Sequence, residues 1–345
     1  MNKNIVVIGA SAGGIEALHQ LLGGLPQNFP ATIFIVLHQS TQSPNVLAKI
    51  LDRAAALPVI SARHREKFLP GQVYVAPADY HLLIESPNTM SLSHGPKENR
   101  FRPAIDPLFR SAAQSFGASV IGIVLTGGLD DGTAGLRAIK QMGGTTIVQN
   151  PEEAYAPSMP LSALSNVEVD HCVKLSEMAG LLARLVKTAG QTSEETPIPE
   201  ALEIENRISR EVNPIDAGVL KLGNFSSFTC PECHGVLLQL SGNNPIRFRC
   251  HTGHAYTLHS LFGDLIEKVE DAMWNAMRAI EESAMLLRHL GVHLSGEKGV
   301  DTKYTETLLQ KAQDAHKQAN RVRQILLGFK QSEIIGATEK NNLHS

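Results

Sequence analysis

Ser11 lies in the glycine-rich segment 9–14 (GASAGG), directly after an apolar run that begins at Ile5. Gly9 and Gly13 give the G-x-S-x-G spacing, which places a serine on a sharp strand-to-helix turn with its hydroxyl exposed for nucleophilic attack. Backbone N–H groups at the start of the following helix can also stabilise an oxyanion. The turn therefore predicts a serine hydrolase. The non-catalytic alternative is that Ser11 caps the helix.

Two other glycine-loop chemistries fit this turn poorly. A dinucleotide site needs G-x-G-x-x-G and an acid after the second strand, but Ser11 replaces the middle glycine and His38 follows the next apolar run. A phosphate-binding loop needs a lysine after its last glycine, and none follows here. Neither nucleotide interpretation is supported.

A base and an acid also follow predicted strands. His38 comes directly after the run 32–37, and Asp130 and Asp131 follow the run 120–125 through a glycine-rich loop. Residues that follow parallel strands gather at the carboxyl edge of an open sheet. A triad is therefore expected there, in which His38 accepts the Ser11 proton and an aspartate orients the imidazole ring. The spacing leaves Asp130 and Asp131 open, since either acid could simply stabilise the start of the next helix.

The elements that must position these residues are predicted over residues 1–188. Apolar runs alternate there with amphipathic segments, which is typical of an α/β fold with a doubly wound, mostly parallel sheet. The predicted strands are 5–9, 32–37, 58–60, 72–76, 120–125, 145–149 and 167–169. The predicted helices are 15–23, 45–53, 105–116, 132–142, 158–165 and 175–186, with a hairpin over 80–91.

The composition changes after residue 188. Residues 189–214 are rich in Thr, Pro and charged residues with little periodicity, which predicts a linker. Residues 261–332 carry two amphipathic stretches, which predict an α-helical hairpin, and 333–345 are expected to be a flexible tail. Packing of the two helices against each other is their simplest role. Self-association, contact with a receptor and clamping of the predicted hydrolase domain are the alternatives.

A small cysteine- and histidine-containing module is predicted over 215–260. Cys230 and Cys233 form a C-x-x-C knuckle, and Cys250 follows after 16 intervening residues. This spacing fits a zinc-ribbon-like module with a closed, structural zinc site. His254 is the favoured fourth ligand over His251, because C-x-x-x-H lets the chain turn around the metal. A metal-free pair of hairpins is the alternative.

Composition excludes several classes of protein. The chain has 345 residues, 43% hydrophobic and 19% charged, which predicts a globular protein of two or more domains. A net charge of −3 gives no basic surface for nucleic acid. No apolar run is long enough for membrane insertion, and no signal peptide is apparent. Four cysteines are too few for a disulfide framework. We therefore expect a cytoplasmic protein.

The motifs together resemble one family. GASAGG at 9–14, LH at 37–38, APADYH at 76–81, RPAIDPLFRS at 102–111, LTGGLDDG at 125–132 and SMP at 158–160 occur in that order. This combination resembles the catalytic domain of the CheB chemotaxis protein-glutamate methylesterases, over residues 4–186. The resemblance implies hydrolysis of glutamate methyl esters on chemoreceptors, which releases methanol, and also glutamine deamidation, without a catalytic cofactor.

The resemblance also assigns roles to residues. It implies Ser11 as the nucleophile, His38 as the base and Asp131, which directly precedes a glycine, as the acid. Backbone N–H groups of Ala12 and Gly128 are expected to stabilise the oxyanion. The family usually has methionine at the position of Gly128, so side-chain packing over the site is expected to differ here.

A second departure concerns regulation. Because Ser11 lies so near the start of the sequence, we expect no N-terminal receiver domain and therefore control by another route. Two alternatives to the methylesterase remain: an esterase acting on a different protein carboxyl ester, and a signalling scaffold that keeps the fold.

Overall fold

The computed structural model describes residues 5–188, 196–242, 245–297 and 301–339. The strands are β1 (Ile5–Ala10), β2 (Thr32–Leu37), β3 (Val59–Ser61), β4 (Val73–Val75), β5 (His81–Glu85), β6 (Thr89–Ser93), β7 (Val120–Val124), β8 (Thr145–Gln149), β9 (His171–Val173), β10 (Gly223–Thr229), β11 (Val236–Leu240), β12 (Arg247–Cys250) and β13 (Ala255–Thr257). The helices are α1 (Gly14–Gly23), α2 (Leu47–Asp52), α3 (Ile105–Phe116), α4 (Thr133–Gln141), α5 (Ser158–Asn166), α6 (Leu175–Thr188), α7 (Glu200–Ser209), α8 (Pro214–Ala217), α9 (Leu258–Ser295) and α10 (Thr302–Glu339).

Seven strands form a parallel sheet in the order β3-β4-β2-β1-β7-β8-β9. Successive side chains of β1 point to opposite faces, so Val6 and Ile8 pack with α1 and α6, whereas Ile5 and Val7 pack with α3, α4 and α5. Both faces of the sheet are therefore covered by helices. The predicted doubly wound α/β domain is confirmed, and β5 and β6 form the predicted hairpin.

The last predicted strand is wrong in position. The sequence predicts a strand over 167–169, but β9 lies at His171–Val173. Val167 and Val169 instead pack into the core from the connection before the strand. The Asp170 carboxylate then accepts hydrogen bonds from the backbone N–H and hydroxyl of Thr146, which joins this connection to β8. Apolar content alone did not distinguish a buried connection from a strand.

The segment predicted as a linker contains a packed helix. Within 189–214, α7 contributes Leu202 to the core of the parallel sheet and Ile204 and Ile208 to a second core. Glu205 is only 3% exposed although it is charged. A buried acid on a helix with two apolar faces hides the usual amphipathic pattern, and this explains why the sequence predicted a linker there. The predicted boundaries at 188 and 214 remain predictions.

Strands β10 to β13 form an antiparallel sheet, which we call the ribbon module (residues 223–257). The chain divides into two compact units, Met1–Phe262 and Gly263–Ser345, and the first contains both the parallel sheet and the ribbon module. In the second unit, Met277 packs with Ala319 and Leu326 between the two long helices, as expected for a helical hairpin.

The last helix and the absence of a membrane-spanning helix among the described residues bear on two of the predictions. α10 continues to Glu339, so part of the predicted flexible tail is helical, and 340–345 lie outside the described residues. Among the described residues, no helix combines the length and the apolarity needed to cross a membrane. The cytoplasmic location remains a prediction.

Candidate active site

Ser11 lies at the carboxyl end of β1, in the turn before α1. Its backbone N–H donates to the carbonyl of Thr126 at 2.9 Å. Gly13, with φ of 75°, is the N-cap residue of α1, and no side chain caps this helix. The alternative in which Ser11 caps the helix is therefore wrong. A Cβ at Gly13 would lie 2.6 Å from Cβ of Tyr155, so both the backbone conformation and the close packing require glycine there.

His38 follows β2, the neighbour of β1 in the sheet. Its backbone N–H donates to the carbonyl of Ala10 at 3.1 Å. The ring lies between two partners: Nδ1 is 3.2 Å from Oγ of Ser11, and Nε2 is 2.7 Å from Oδ2 of Asp131. The side chain is 3% exposed. This arrangement lets one ring nitrogen accept a proton from Ser11 while an acid holds the other.

Asp131 lies in the loop after β7, the neighbour of β1 on the other side. Besides His38, it accepts hydrogen bonds from the N–H of Ile105 at 2.7 Å and from the side-chain amide of Asn99 at 2.9 Å. Burial alone would raise the pKa of Asp131, but hydrogen bonds from His38, Ile105 and Asn99 together hold it below its ordinary value. The acid beside His38 is therefore an anion at neutral pH.

Asp130 faces different partners. Its carboxylate accepts from the hydroxyl of Thr257 at 2.6 Å and lies 3.2 Å from Nδ1 of His259. Burial raises the pKa of Asp130 against these hydrogen bonds. The structure thus separates two acids that the spacing left equivalent. Asp131 is hydrogen-bonded to His38, whereas Asp130 is hydrogen-bonded to Thr257 and His259.

Asp106, on the first turn of α3, is a third buried acid at this site. Its carboxylate accepts from the amide of Asn99 at 3.0 Å and from the N–H of Gly135 at 2.7 Å. Burial, together with the charge of Asp131, raises the pKa of Asp106 to about 8. The neighbouring pair therefore holds one negative charge at neutral pH, and that charge lies on Asp131.

A turn that the sequence did not indicate contacts both His38 and the acids. Residues 98–101 form a two-residue turn in which Glu98 and Phe101 exchange backbone hydrogen bonds. Asn99 and Arg100 have φ of 50° and 76°, the conformation of a type I′ turn, in which Asn is favoured. The Phe101 ring stacks on His38 with centroids 3.7 Å apart. An Asn in a short polar segment is too common a signal to have been singled out.

The two predicted oxyanion donors have open surroundings. Among the described residues, the N–H groups of Ala12 and Gly128 donate to no other backbone carbonyl. The adjacent Gly127 lies against the nucleophile, because a Cβ there would be 2.9 Å from Cβ of Ser11. A Cβ at Gly128 would meet nothing within 4 Å. The space beside Gly128, where a side chain would lie, is therefore open.

An open cleft of about 490 Å³ lies over these residues. Ser11, His38 and Phe101 line its floor, and Lys97 and Arg102 lie at its edge. Lys97 pairs with Glu232 of the ribbon module at 2.8 Å, and Arg102 pairs with Asp79 at 2.8 Å. Ser11 therefore lines a cleft that is open to solvent.

Four side chains of the ribbon module could hold a metal. The ligand atoms of Cys230, Cys233, Cys250 and His254 all lie within 4.8 Å of one another. The Sγ atoms of Cys233 and Cys250 are 3.6 Å apart, and Nδ1 of His254 is 3.6 Å from Cys250 and 3.7 Å from Cys230. A tetrahedral zinc site with standard bond lengths requires S–S and S–N separations of about 3.7 Å and about 3.6 Å. The donor set therefore fits a closed zinc site.

Tight turns bring these ligands together. Cys230 and Cys233 lie between β10 and β11, where the Cys230 N–H donates to the Gly235 carbonyl at 2.7 Å. Cys250 ends β12 and His254 directly precedes β13, and the Cys250 N–H donates to the His254 carbonyl at 3.0 Å. His251, the alternative ligand, is not among the clustered residues and packs at Gly235 instead.

A buried ion network attaches the ribbon module to the parallel-sheet domain. Arg249 of β12 is 0% exposed and donates to Glu98 at 3.1 Å and to Glu205 at 3.0 Å. Arg110 of α3 pairs with Glu98 at 2.7 Å, and Arg247 pairs with Glu205 at 2.8 Å. Burial would raise the pKa values of Glu98 and Glu205, but the arginines lower both. Both acids are therefore charged, and the network joins the turn at 98–101, α3, α7 and β12.

Comparison with known proteins identifies the parallel-sheet domain. The CheB methylesterase family model matches residues 6–182. A Leptospira interrogans protein that carries the provisional name protein-glutamate methylesterase/protein-glutamine glutaminase is 41% identical over 54% of this chain and 96% of its own length. A Geobacter metallireducens protein-glutamate methylesterase/protein-glutamine glutaminase 1 is 37% identical, over 54% of this chain but 52% of its own length.

A solved structure shows the same fold. The crystal structure of the Thermotoga maritima CheB methylesterase catalytic domain matches with a TM-score of 0.52 and 34% identity, covering 54% of this chain and all of that one. The match to the family model ends at residue 182, before the ribbon module and the long helices. The chain belongs to the CheB methylesterase family.

Proposed function

We propose that the chain is a protein-glutamate methylesterase in which Ser11, His38 and Asp131 form the catalytic triad. The observation that carries this proposal is the His38 ring, which lies within hydrogen-bond distance of both Ser11 and Asp131. The family and the names of the relatives support the same activity. Three residues from three strand ends meet in this way, and Ser11 and His38 line an open cleft, as a nucleophilic hydrolase requires.

The geometry supports the usual steps of acyl transfer. His38 accepts the Ser11 proton through Nδ1 while Ser11 Oγ attacks the ester carbonyl. Asp131 stabilises the imidazolium through Nε2. The N–H groups of Ala12 and Gly128 stabilise the oxyanion, which is worth about 3 kcal/mol per donor in comparable sites. His38 then protonates the departing methanol, and water hydrolyses the acyl-enzyme to restore Ser11 and a glutamate side chain.

The same machinery accepts a glutamine side chain. An amide carbonyl presents the same tetrahedral intermediate, with ammonia in place of methanol as the leaving group. Deamidation is therefore the second proposed activity, in line with the glutaminase part of the relatives' names. Methylated chemoreceptors or similar sensory proteins are the proposed substrates, because the open cleft admits a side chain of another protein rather than enclosing a small molecule.

A peptide that contains glutamate γ-methyl ester tests this function through methanol release. Ser11→Ala should reduce release to the uncatalysed rate while the fold remains intact. Ser165→Ala, which changes an exposed serine on α5, is the matched control and should retain the activity of the unmodified protein. Undiminished release by Ser11→Ala would refute the mechanism. Tight binding of the peptide without any turnover by the unmodified protein would instead favour the scaffold alternative.

We also propose a structural zinc ion in the ribbon module, held by Cys230, Cys233, Cys250 and His254. The separations of their ligand atoms support this donor set, and four protein ligands leave no open position for catalysis. Metal analysis should give one zinc per chain, lost in Cys233→Ser. Cys172→Ser, at an exposed cysteine outside the ribbon module, should retain the zinc. Equal zinc content in both variants would contradict this ligand set.

A further inference from the structure

We infer that the ribbon module positions the catalytic triad, through the turn at 98–101 and above all through Asn99. This inference rests on the proposed function of the triad and deepens it. No part of the family match extends to the ribbon module, so the role is specific to chains that carry such an extension. Asn99 contacts no reacting atom and acts through Asp131, which makes it a positioning residue.

The turn contacts both partners of the nucleophile. Phe101 stacks on His38 with the ring planes 10° apart, which fixes the plane of the imidazole. Asn99 donates through Nδ2 to Oδ1 of Asp131 at 2.9 Å, while Oδ2 of the same carboxylate receives Nε2 of His38. One turn of two central residues therefore orients the base from one side and the acid from the other.

The ribbon module and the start of α9 in turn hold Asn99. Its backbone N–H donates to the carbonyl of Ala255 on β13 at 2.8 Å. Its side-chain Oδ1 accepts from the N–H of Thr257 at 3.0 Å and from the hydroxyl of Ser260 at 3.1 Å. The residues involved, Asn99, Thr257 and Ser260, are all at most 4% exposed. Because these residues are buried, solvent does not compete for their hydrogen bonds, and a displacement of β13 would also displace Asn99.

The chemistry of the neighbours allows one orientation of the Asn99 amide. The backbone N–H of Thr257 meets its oxygen, together with the Ser260 hydroxyl, and the charged carboxylate of Asp131 meets its nitrogen, together with the neutral carboxyl group of Asp106. A rotated amide would turn its NH₂ group toward the Thr257 N–H and its carbonyl oxygen toward the Asp131 carboxylate. The Asn99 side chain therefore has one hydrogen-bonded orientation, in which its oxygen is held by the ribbon module and its nitrogen holds Asp131.

Two further contacts keep β13 against the site. The Thr257 hydroxyl accepts from the N–H of Ser260 at 3.1 Å, in the manner of a helix N-cap, and donates to Asp130 at 2.6 Å. Glu98, at the other end of the turn, is bonded to Arg249 of β12. Displacement of the ribbon module would break all of these bonds together and would release Asn99 from Asp131.

The test separates the two sides of the Asn99 amide. Asn99→Asp keeps an acceptor for Thr257 and Ser260 but replaces the donor to Asp131, and Asn99→Gly removes both functions at a position where positive φ suits glycine. Each should lower kcat for a chromogenic ester, p-nitrophenyl acetate, by about tenfold to a hundredfold with little change in KM. The double variant Thr257→Val/Ser260→Ala keeps the Thr257 N–H bond to Asn99 but removes the Ser260 donor and the bond from Thr257 to Asp130. It should lower kcat by about threefold to tenfold. Ser227→Ala, at an exposed serine of β10, is the matched control and should behave as the unmodified protein.

A spectroscopic measurement follows positioning without turnover. The proton between Nε2 of His38 and Asp131 should give a downfield proton NMR signal, which shifts or disappears in both Asn99 variants and in the double variant. If the unmodified protein showed no Ser11-dependent turnover, the proposed function would be refuted. The NMR signal would still test the positioning of Asp131 and His38 by Asn99. An unchanged signal and unchanged kcat in Asn99→Asp would overturn the role of Asn99. Changes confined to the Asn99 variants, with none in the double variant, would overturn the role of the Thr257 and Ser260 side chains in holding Asn99 against Asp131.

Discussion

Replacement of Asp131 by asparagine should nearly abolish turnover, because of the hydrogen bonds that surround this carboxylate. An amide nitrogen at the Oδ1 position would face three donors, from Asn99, Gly132 and Asp106. At the Oδ2 position it would face Ile105 N–H and Nε2 of His38, both at 2.7 Å. Only His38 can adapt, since its proton can move to the other ring nitrogen, and the amide nitrogen should therefore occupy the Oδ2 position.

That adaptation places the imidazole proton on Nδ1, facing Ser11, so His38 can no longer accept the Ser11 proton. Loss of kcat by a factor of about 10⁴ is expected for such a tautomer change, which corresponds to about 5 kcal/mol in the barrier. The readout is kcat for methanol release, with circular dichroism to confirm folding. Asp130→Asn is the matched control: Asp130 bonds Thr257 and His259 rather than His38, and a loss below tenfold is expected. The reasoning would be refuted by Asp131→Asn activity within tenfold of the unmodified protein, or by an equal loss in both variants.

Two further predictions concern stability and its pH dependence. Arg249→Met should lower the free energy of unfolding by about 3 kcal/mol in chemical denaturation, because it removes a buried partner of Glu98 and Glu205. Arg278→Met, at an exposed arginine, should change this free energy little. Equal effects of the two substitutions would contradict the role of the network. Asp106 has a pKa raised from 3.8 to about 8, so between these values the native state binds more protons than the unfolded state. Its contribution to stability is therefore lost as pH rises, and the stability of the unmodified protein relative to Asp106→Asn should fall by at most about 1.4 kcal/mol per pH unit. A constant difference between pH 5 and pH 8 would show that Asp106 titrates normally.

The sequence by itself determined the order and type of the elements that carry the site. Strands buried on both faces leave long apolar runs, and glycine-rich turns mark the residues at their carboxyl ends, so Ser11 and His38 were predictable from local pattern. The cysteine spacing likewise singled out the proposed metal ligands, because each pair comes from one tight turn. Such features depend on neighbours within a few positions of the chain.

The tertiary structure alone decided which groups meet. Asp130 and Asp131 are adjacent in sequence and both buried, and only the packing of α3 and the turn at 98–101 gives Asp131 the contact with His38. The sequence predicts a linker around Glu205, because the arginine partners of this residue lie more than 40 residues away in the chain. Asn99 is bonded to residues more than 150 positions distant. Burial of a polar side chain depends on partners brought together by folding, and no local pattern of residues records them.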